Sequence, residues 1–169
     1  MRNLTSKMAF ISTVCVFIAL SGCQIVEVGK KDPKKATQVR TQLAVEYLKT
    51  GDLDSAKRAL DEALKINSRD AQANMMMGVL LQQEGSKLNL DRAETYFKRA
   101  ISAEPKNAQA RNNYGTYLYQ LERYNDAIEQ FAIAGATLGY DQRYLALENM
   151  GRIYLKQGDL VNAEKSFKQ

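Results

Sequence analysis

From residue 37 onward the chain alternates small apolar clusters with charged and amide residues at helical spacing. Leu43, Ala44, Tyr47 and Leu48 fall on one face of a helix, and Ala56, Ala59, Leu60, Ala63 and Leu64 on one face of the next. Gly51-Asp52 between them marks a helix end and a turn. The pattern then returns. The segments LAVEY, MGVLL, YGTYL and MGRIY align on Ala44, Gly78, Gly115 and Gly151, at spacings of 34, 37 and 36 residues. A second small residue follows in each unit (Ala56, Ala93, Ala127, Ala163), and four residues later comes Leu60, Phe97, Phe131 or Phe167. Ala63, Ala100 and Ala134 complete the first three units. Each unit therefore predicts two antiparallel helices that cross closely at the small residues, while the bulky residues fill the space between units.

Self-similarity at this period resembles tetratricopeptide (TPR) repeats. The resemblance implies an all-α solenoid of antiparallel helix pairs in a right-handed superhelix. Units are expected at 37–70, 71–107, 108–143 and 144–169. Pro105 stops one helix and Asn107 is positioned to cap the next. The position often held by Trp in such repeats carries Arg40, Asn74, Arg111 and Leu147. Three extra residues in the second unit, within GSKLNLDRA, predict a bulged turn. The fourth unit reaches Phe167-Lys168-Gln169 before its second helix is complete, leaving Tyr154, Leu160 and Phe167 without a following unit. Arrays need a polar terminal cap, so the sequence is expected to be a piece of a longer chain, or to have a partner over that end.

The N-terminal residues follow a different pattern. Arg2 and Lys7 precede an apolar run of 13 residues, Met8 to Leu20, and then Ser21 and Gly22. This is the layout of a secretory signal, 1–22, and it is shorter than the roughly 20 apolar residues a membrane span needs. Leu20-Ser21-Gly22-Cys23 resembles the lipobox of bacterial lipoproteins. That resemblance implies cleavage between Gly22 and Cys23 and covalent attachment of diacylglycerol and an acyl chain to Cys23. Gln24 in place of the Asp associated with inner-membrane retention implies the outer membrane, periplasmic face. One acyl chain is a marginal anchor and two or three hold firmly. Residues 23–36 then read as a lipidated terminus and tether, with Gly29 and Pro33 breaking structure and Lys30, Lys31, Lys34 and Lys35 free to meet solvent or anionic head groups.

Composition narrows the chemistry. The whole chain carries a net charge of +5, but from residue 37 there are 18 basic and 17 acidic residues. The excess lies in the signal and tether, so a nucleic-acid partner has no electrostatic footprint. The chain has no His and two Cys, Cys15 and Cys23. This excludes Ser–His–Asp and Cys–His catalysis and His-containing metal sites. No metal site, no cofactor beyond the Cys23 lipid, no small-molecule substrate and no enzymatic activity are expected.

A lipobox, a short tether and a repeat body containing QARNNYGTYLYQLERYNDAIEQF together resemble the lipoproteins of type IV pilus biogenesis and stability, the PilF/PilW or pilotin family. The most specific stretch is Ala110 to Phe131, supported by LDRAETYFKRAISAEP from Leu90 to Pro105. The resemblance implies an assembly role. Such a lipoprotein binds secretin subunits, carries them to the outer membrane and promotes their multimerisation, on which pilus fibres and twitching motility depend. Repeat register places a protein-binding groove on the first helix of each unit. The first unit supplies Gln38, Thr41, Val45 and Leu48, and the second Gln72, Met75, Val79 and Gln82. The third supplies Gln109, Asn112, Asn113, Thr116 and Tyr119, and the fourth Leu145, Glu148, Arg152 and Leu155. This mixture suits an amphipathic segment docking on Val45, Leu48, Met75, Val79 and Tyr119, with its backbone held by amides. Met76 and Met77 are expected between helices. The clamp that grips a C-terminal carboxylate in chaperone-binding repeats is missing, because its first-unit positions are Thr41 and Val45. A lipoprotein adaptor for another envelope machine, such as cell-wall hydrolase scaffolding or outer-membrane protein insertion, is the alternative.

Overall fold

The computed structural model describes residues 32–169; the expected signal, Cys23 and most of the tether lie outside the described residues. Eight helices follow in order: α1 (Pro33–Thr50), α2 (Leu53–Ile66), α3 (Ala71–Glu84), α4 (Lys87–Ala103), α5 (Ala108–Gln120), α6 (Tyr124–Ala136), α7 (Arg143–Lys156) and α8 (Leu160–Phe167). Among the described residues there is no strand. The boundaries come from local chemistry. Asp32, Asp52, Asp70, Ser86, Asn107 and Asp159 each accept a backbone N–H of the following helix through the side chain. Gly51, at φ 78°, closes α1 in the left-handed conformation, and its N–H bonds back to Leu48.

Two sequence expectations are corrected here. Pro33 does not break structure; it opens α1, where its missing N–H is no loss, behind the Asp32 cap. Helix α1 therefore takes in residues 33–36, which the sequence pattern assigns to the tether. The insertion in the second unit does not bulge either. Gly85 and Ser86 make a tight turn, and the extra residues lengthen α4 to 17 residues against 14 in α2. Capping by Ser86 lets Lys87, Leu88 and Asn89 form an added helical turn, which satisfies backbone groups that a loop would leave to water.

Packing follows the repeats. Within each unit the two helices pair, and α1, α3, α5 and α7 also touch in succession, so the first helices line one continuous face. The crossing points are the aligned small residues. A methyl group at Gly115 would meet the Phe131 ring at 2.7 Å, one at Gly78 the Phe97 ring at 2.9 Å, and one at Gly151 the Phe167 ring at 2.6 Å. The first unit instead has fully buried Ala44 and Leu60. The residues in place of Trp stitch the stack. Arg40 Nε reaches Glu62 at 3.0 Å, and Asn74 Nδ2 donates to the carbonyls of Ser68 and Asp70 at 3.0 and 2.8 Å. Arg111 holds Gln130 at 2.7 Å and the Pro105 carbonyl. Leu147 packs directly onto Gly135.

Candidate functional site

The face formed by α1, α3, α5 and α7 is a groove whose lining is set by position within each helix. Val45, Val79 and Thr116 occupy one equivalent row and are half-buried. Leu48 and Gln82 are half-buried in the next row, and Tyr119 there is 39% exposed. Asn113 is half-buried beside them. Two depressions lie on this face. One, about 270 Å³, is walled by Val79, Gln82, Gln83, Asn113, Thr116 and Gln120. The other, about 420 Å³, lies against Gln38, Thr41, Gln42 and Val45 of α1, with Gln72 across from them.

The structure corrects two assigned groove residues. Met75 is fully buried and Asn112 is 7% exposed. Thr41, at the equivalent position in α1, is also buried. Met75 and Asn112 sit where neighbouring first helices pack together, and Thr41 is reached only at the floor of the α1 depression. Repeat register alone gives the side of the helix but not how close the next helix comes. Met76 and Met77 are buried, as expected.

The groove's polar groups are already partly engaged. Gln82 Nε2 donates to Gln120 Oε1 at 2.7 Å, bridging α3 and α5. The Thr116 hydroxyl donates to the Asn112 carbonyl at 3.1 Å. Val79 and Asn113 offer an apolar wall beside an amide, and Tyr119 adds an aromatic edge. Tyr119 packs on Tyr124 with ring centroids 5.7 Å apart, and Lys156 donates to the Tyr124 hydroxyl while lying over its ring. This cluster ties the rim of the third unit to the fourth. Chemically, the surface can hold an apolar side chain and exchange amide hydrogen bonds with a peptide backbone. Among the described residues no group of three or more metal-binding side chains gathers, and no helix is long and apolar enough to cross a membrane.

Behind the groove, sequence reasoning missed a junction between units. Glu94 of α4 accepts from the Tyr114 hydroxyl, Arg123 Nη1 and Lys98 Nζ, each at 2.9 Å. Burial pushes its carboxyl up, but hydrogen bonds from Lys98, Arg123 and Tyr114 and the charge of Arg123 outweigh it and hold the group at about 2. Burial and the bond to Glu94 push the Tyr114 phenol up. Lys98 is one helical turn away, but Tyr114 and Arg123 lie in the next unit, 20 and 29 residues on, so no local pattern marks them.

Comparison with known proteins fits this geometry. Two family models described as tetratricopeptide repeat match residues 37–70 and 85–137. The type IV pilus assembly protein PilF of Pseudomonas aeruginosa is 29% identical over 159 residues, covering 90% of this chain and 61% of PilF. The solved structure of P. aeruginosa PilF matches with a TM-score of 0.76 at 29% identity, over 82% of this chain and 61% of that one. PilW, described as a widely conserved type IV pilus biogenesis factor, matches at 0.71 and 32% identity, over 78% of this chain and 59% of that one. MamA, at 0.65 and 21% identity, over 81% of this chain and 77% of that one, shares the fold alone. The chain spans about three-fifths of the length of PilF and PilW.

Proposed function

The chain belongs to the tetratricopeptide-repeat proteins, and from that premise we propose that it is an outer-membrane lipoprotein of type IV pilus assembly. In this reading it binds secretin subunits through its concave face and promotes their localisation and multimerisation. The observation that carries the reading is the likeness to PilF and PilW, which runs through nearly all of the described array rather than a single repeat. The lipobox at Cys23 supports it from the sequence side. Acyl chains there hold the protein on the periplasmic face, and a bound secretin subunit is carried to the same membrane. No bond is made or broken in the partner. Binding free energy and a lipid anchor together fix a location.

Val45, Leu48 and Val79 form the apolar strip of the contact, Asn113 and Thr116 its polar side and Tyr119 its rim. Recognition is of an amphipathic segment, with apolar side chains against the strip and the backbone exchanging bonds with the Gln82–Gln120 pair. A deletion strain tests the reading. Loss of surface pili and of secretin multimers supports it. Intact secretin multimers with altered cell-wall turnover would instead favour the adaptor for another envelope machine, which the Cys23 motif and groove chemistry also suit.

A further inference from the structure

We propose that one edge of the array, the one carrying the α2–α3, α4–α5 and α6–α7 loops, rests on an anionic phospholipid surface. The proposal rests on the lipid-anchored reading above and adds an orientation to it. The chain enters its described portion at this edge. Asp32, Pro33 and Lys34 surround one depression together with Ile66, Arg69 and Glu104. Eight residues lie between Cys23 and Asp32, nine Cα-to-Cα steps with a covalent reach of at most about 32 Å. An acylated Cys23 therefore keeps this edge within that distance of the bilayer.

Charge points the same way. The segments 32–35, 65–70, 104–107 and 137–143 at this edge carry six basic and four acidic residues, a net of +2. At the opposite edge, segments 49–54, 84–88, 121–126 and 156–160 carry four basic and six acidic residues, a net of −2. The basic groups also differ in what they do. At the opposite edge Lys49 pairs with Glu46, Arg123 with Glu94 and Asp126, and Lys156 with the Tyr124 hydroxyl, which leaves Lys87, exposed, as the one cation there with no such partner among the described residues. At the entry edge Lys34, Lys35, Lys65, Arg69 and Lys106 take part in no ion pair among the described residues, and all are exposed. Of the four acids there, three are engaged, Asp32 and Asp70 as helix caps and Glu104 with Asn107, while Asp141 stands exposed. Exposed apolar side chains occur at both edges, Leu138 at one and Leu88 at the other, so charge and chain entry decide the orientation. Free cations on a surface that is turned toward phospholipid head groups gain attraction that cations paired within the protein do not.

The test uses the mature chain with Cys23→Ser, so that acylation does not enter the result. The chain has no Trp, and Leu138→Trp and Leu88→Trp each supply a single probe, one per edge. Vesicles contain phosphatidylethanolamine and phosphatidylglycerol with brominated acyl chains, against phosphatidylcholine alone. The expected result is retention by the phosphatidylglycerol vesicles at low salt, loss at high salt, and quenching of the probe at 138 but not at 88. Arg69→Glu and Lys106→Glu each weaken retention by at least about fivefold, while Lys49→Glu and Lys87→Glu leave it unchanged with helicity intact. No retention, equal quenching at both positions, or capture by soluble heparin without vesicle retention would overturn the proposal. Mass spectrometry of the membrane-extracted wild type judges acylation separately. An unmodified Cys23 refutes the anchor without touching the vesicle result.

Discussion

A glycine inside a helix costs about 1 kcal/mol relative to alanine, yet Gly78, Gly115 and Gly151 sit inside α3, α5 and α7. Each leaves room for a phenylalanine ring from its partner helix, and where the partner is the smaller Leu60 the helix carries Ala44 instead. Size is therefore matched across each crossing. Gly115→Ala is expected to destabilise by about 1–3 kcal/mol, because the ring it meets is fully buried and held by its neighbours. Adding Phe131→Leu, which copies the first unit, should recover part of that loss in a double-mutant cycle followed by thermal unfolding. Purely additive losses would mean that the two sites do not share the crossing. Asn112 makes the opposite case. Its Oδ1 is buried with no hydrogen-bond partner among the described residues, at the position where the second unit has buried Met75. Asn112→Met is expected to raise stability by about 1 kcal/mol; a lowered melting temperature would show that the amide is satisfied in solution. The crossing pairs were legible in the sequence because they recur at fixed offsets. The burial of Met75 and Asn112 was not, because it depends on how closely the first helices of adjacent units approach.

At the scale of elements, six of the eight helices start behind a side-chain cap, α6 and α7 being the exceptions, and the sequence pattern marked two of these starts. Asp52 and Asn107 stand where the repeat pattern breaks. Pro33 and the GSKLNLDRA insertion were misread for one reason: an Asp or Ser just ahead can turn a nominal breaker or spacer into a first helical turn. The junction at Glu94 joins three elements, α4, α5 and the start of α6. Its pH behaviour follows from sign. The folded carboxyl is held at about 2, below the ordinary 4.5, so the unfolded chain takes up the proton first. The stabilisation is complete above the ordinary carboxylate range and is lost as pH falls toward 2. Glu94→Gln should therefore lower the melting temperature near neutrality, and the curves for variant and wild type should converge as pH approaches 2. Parallel curves down to that pH would mean that the cluster contributes nothing through its charge.

At the scale of the whole molecule, the stack of first helices turns a repeated sequence into one continuous surface. Its fold was legible because repetition amplifies a weak local signal. Its half-buried Val45, Leu48 and Val79 and rim Tyr119 were legible because register sets which side of a helix faces out. Which partner segment lies there is a property of the partner and is not written in the chain. The most direct measurement is co-purification of the proposed secretin partner with the full-length protein, comparing wild type with Leu48→Asp and Val79→Asp, each checked for unchanged helicity. The account predicts that wild type retains the secretin and both variants lose it, because a carboxylate in the apolar strip must be desolvated on binding. Equal retention by well-folded variants would contradict it and place the contact away from the concave face.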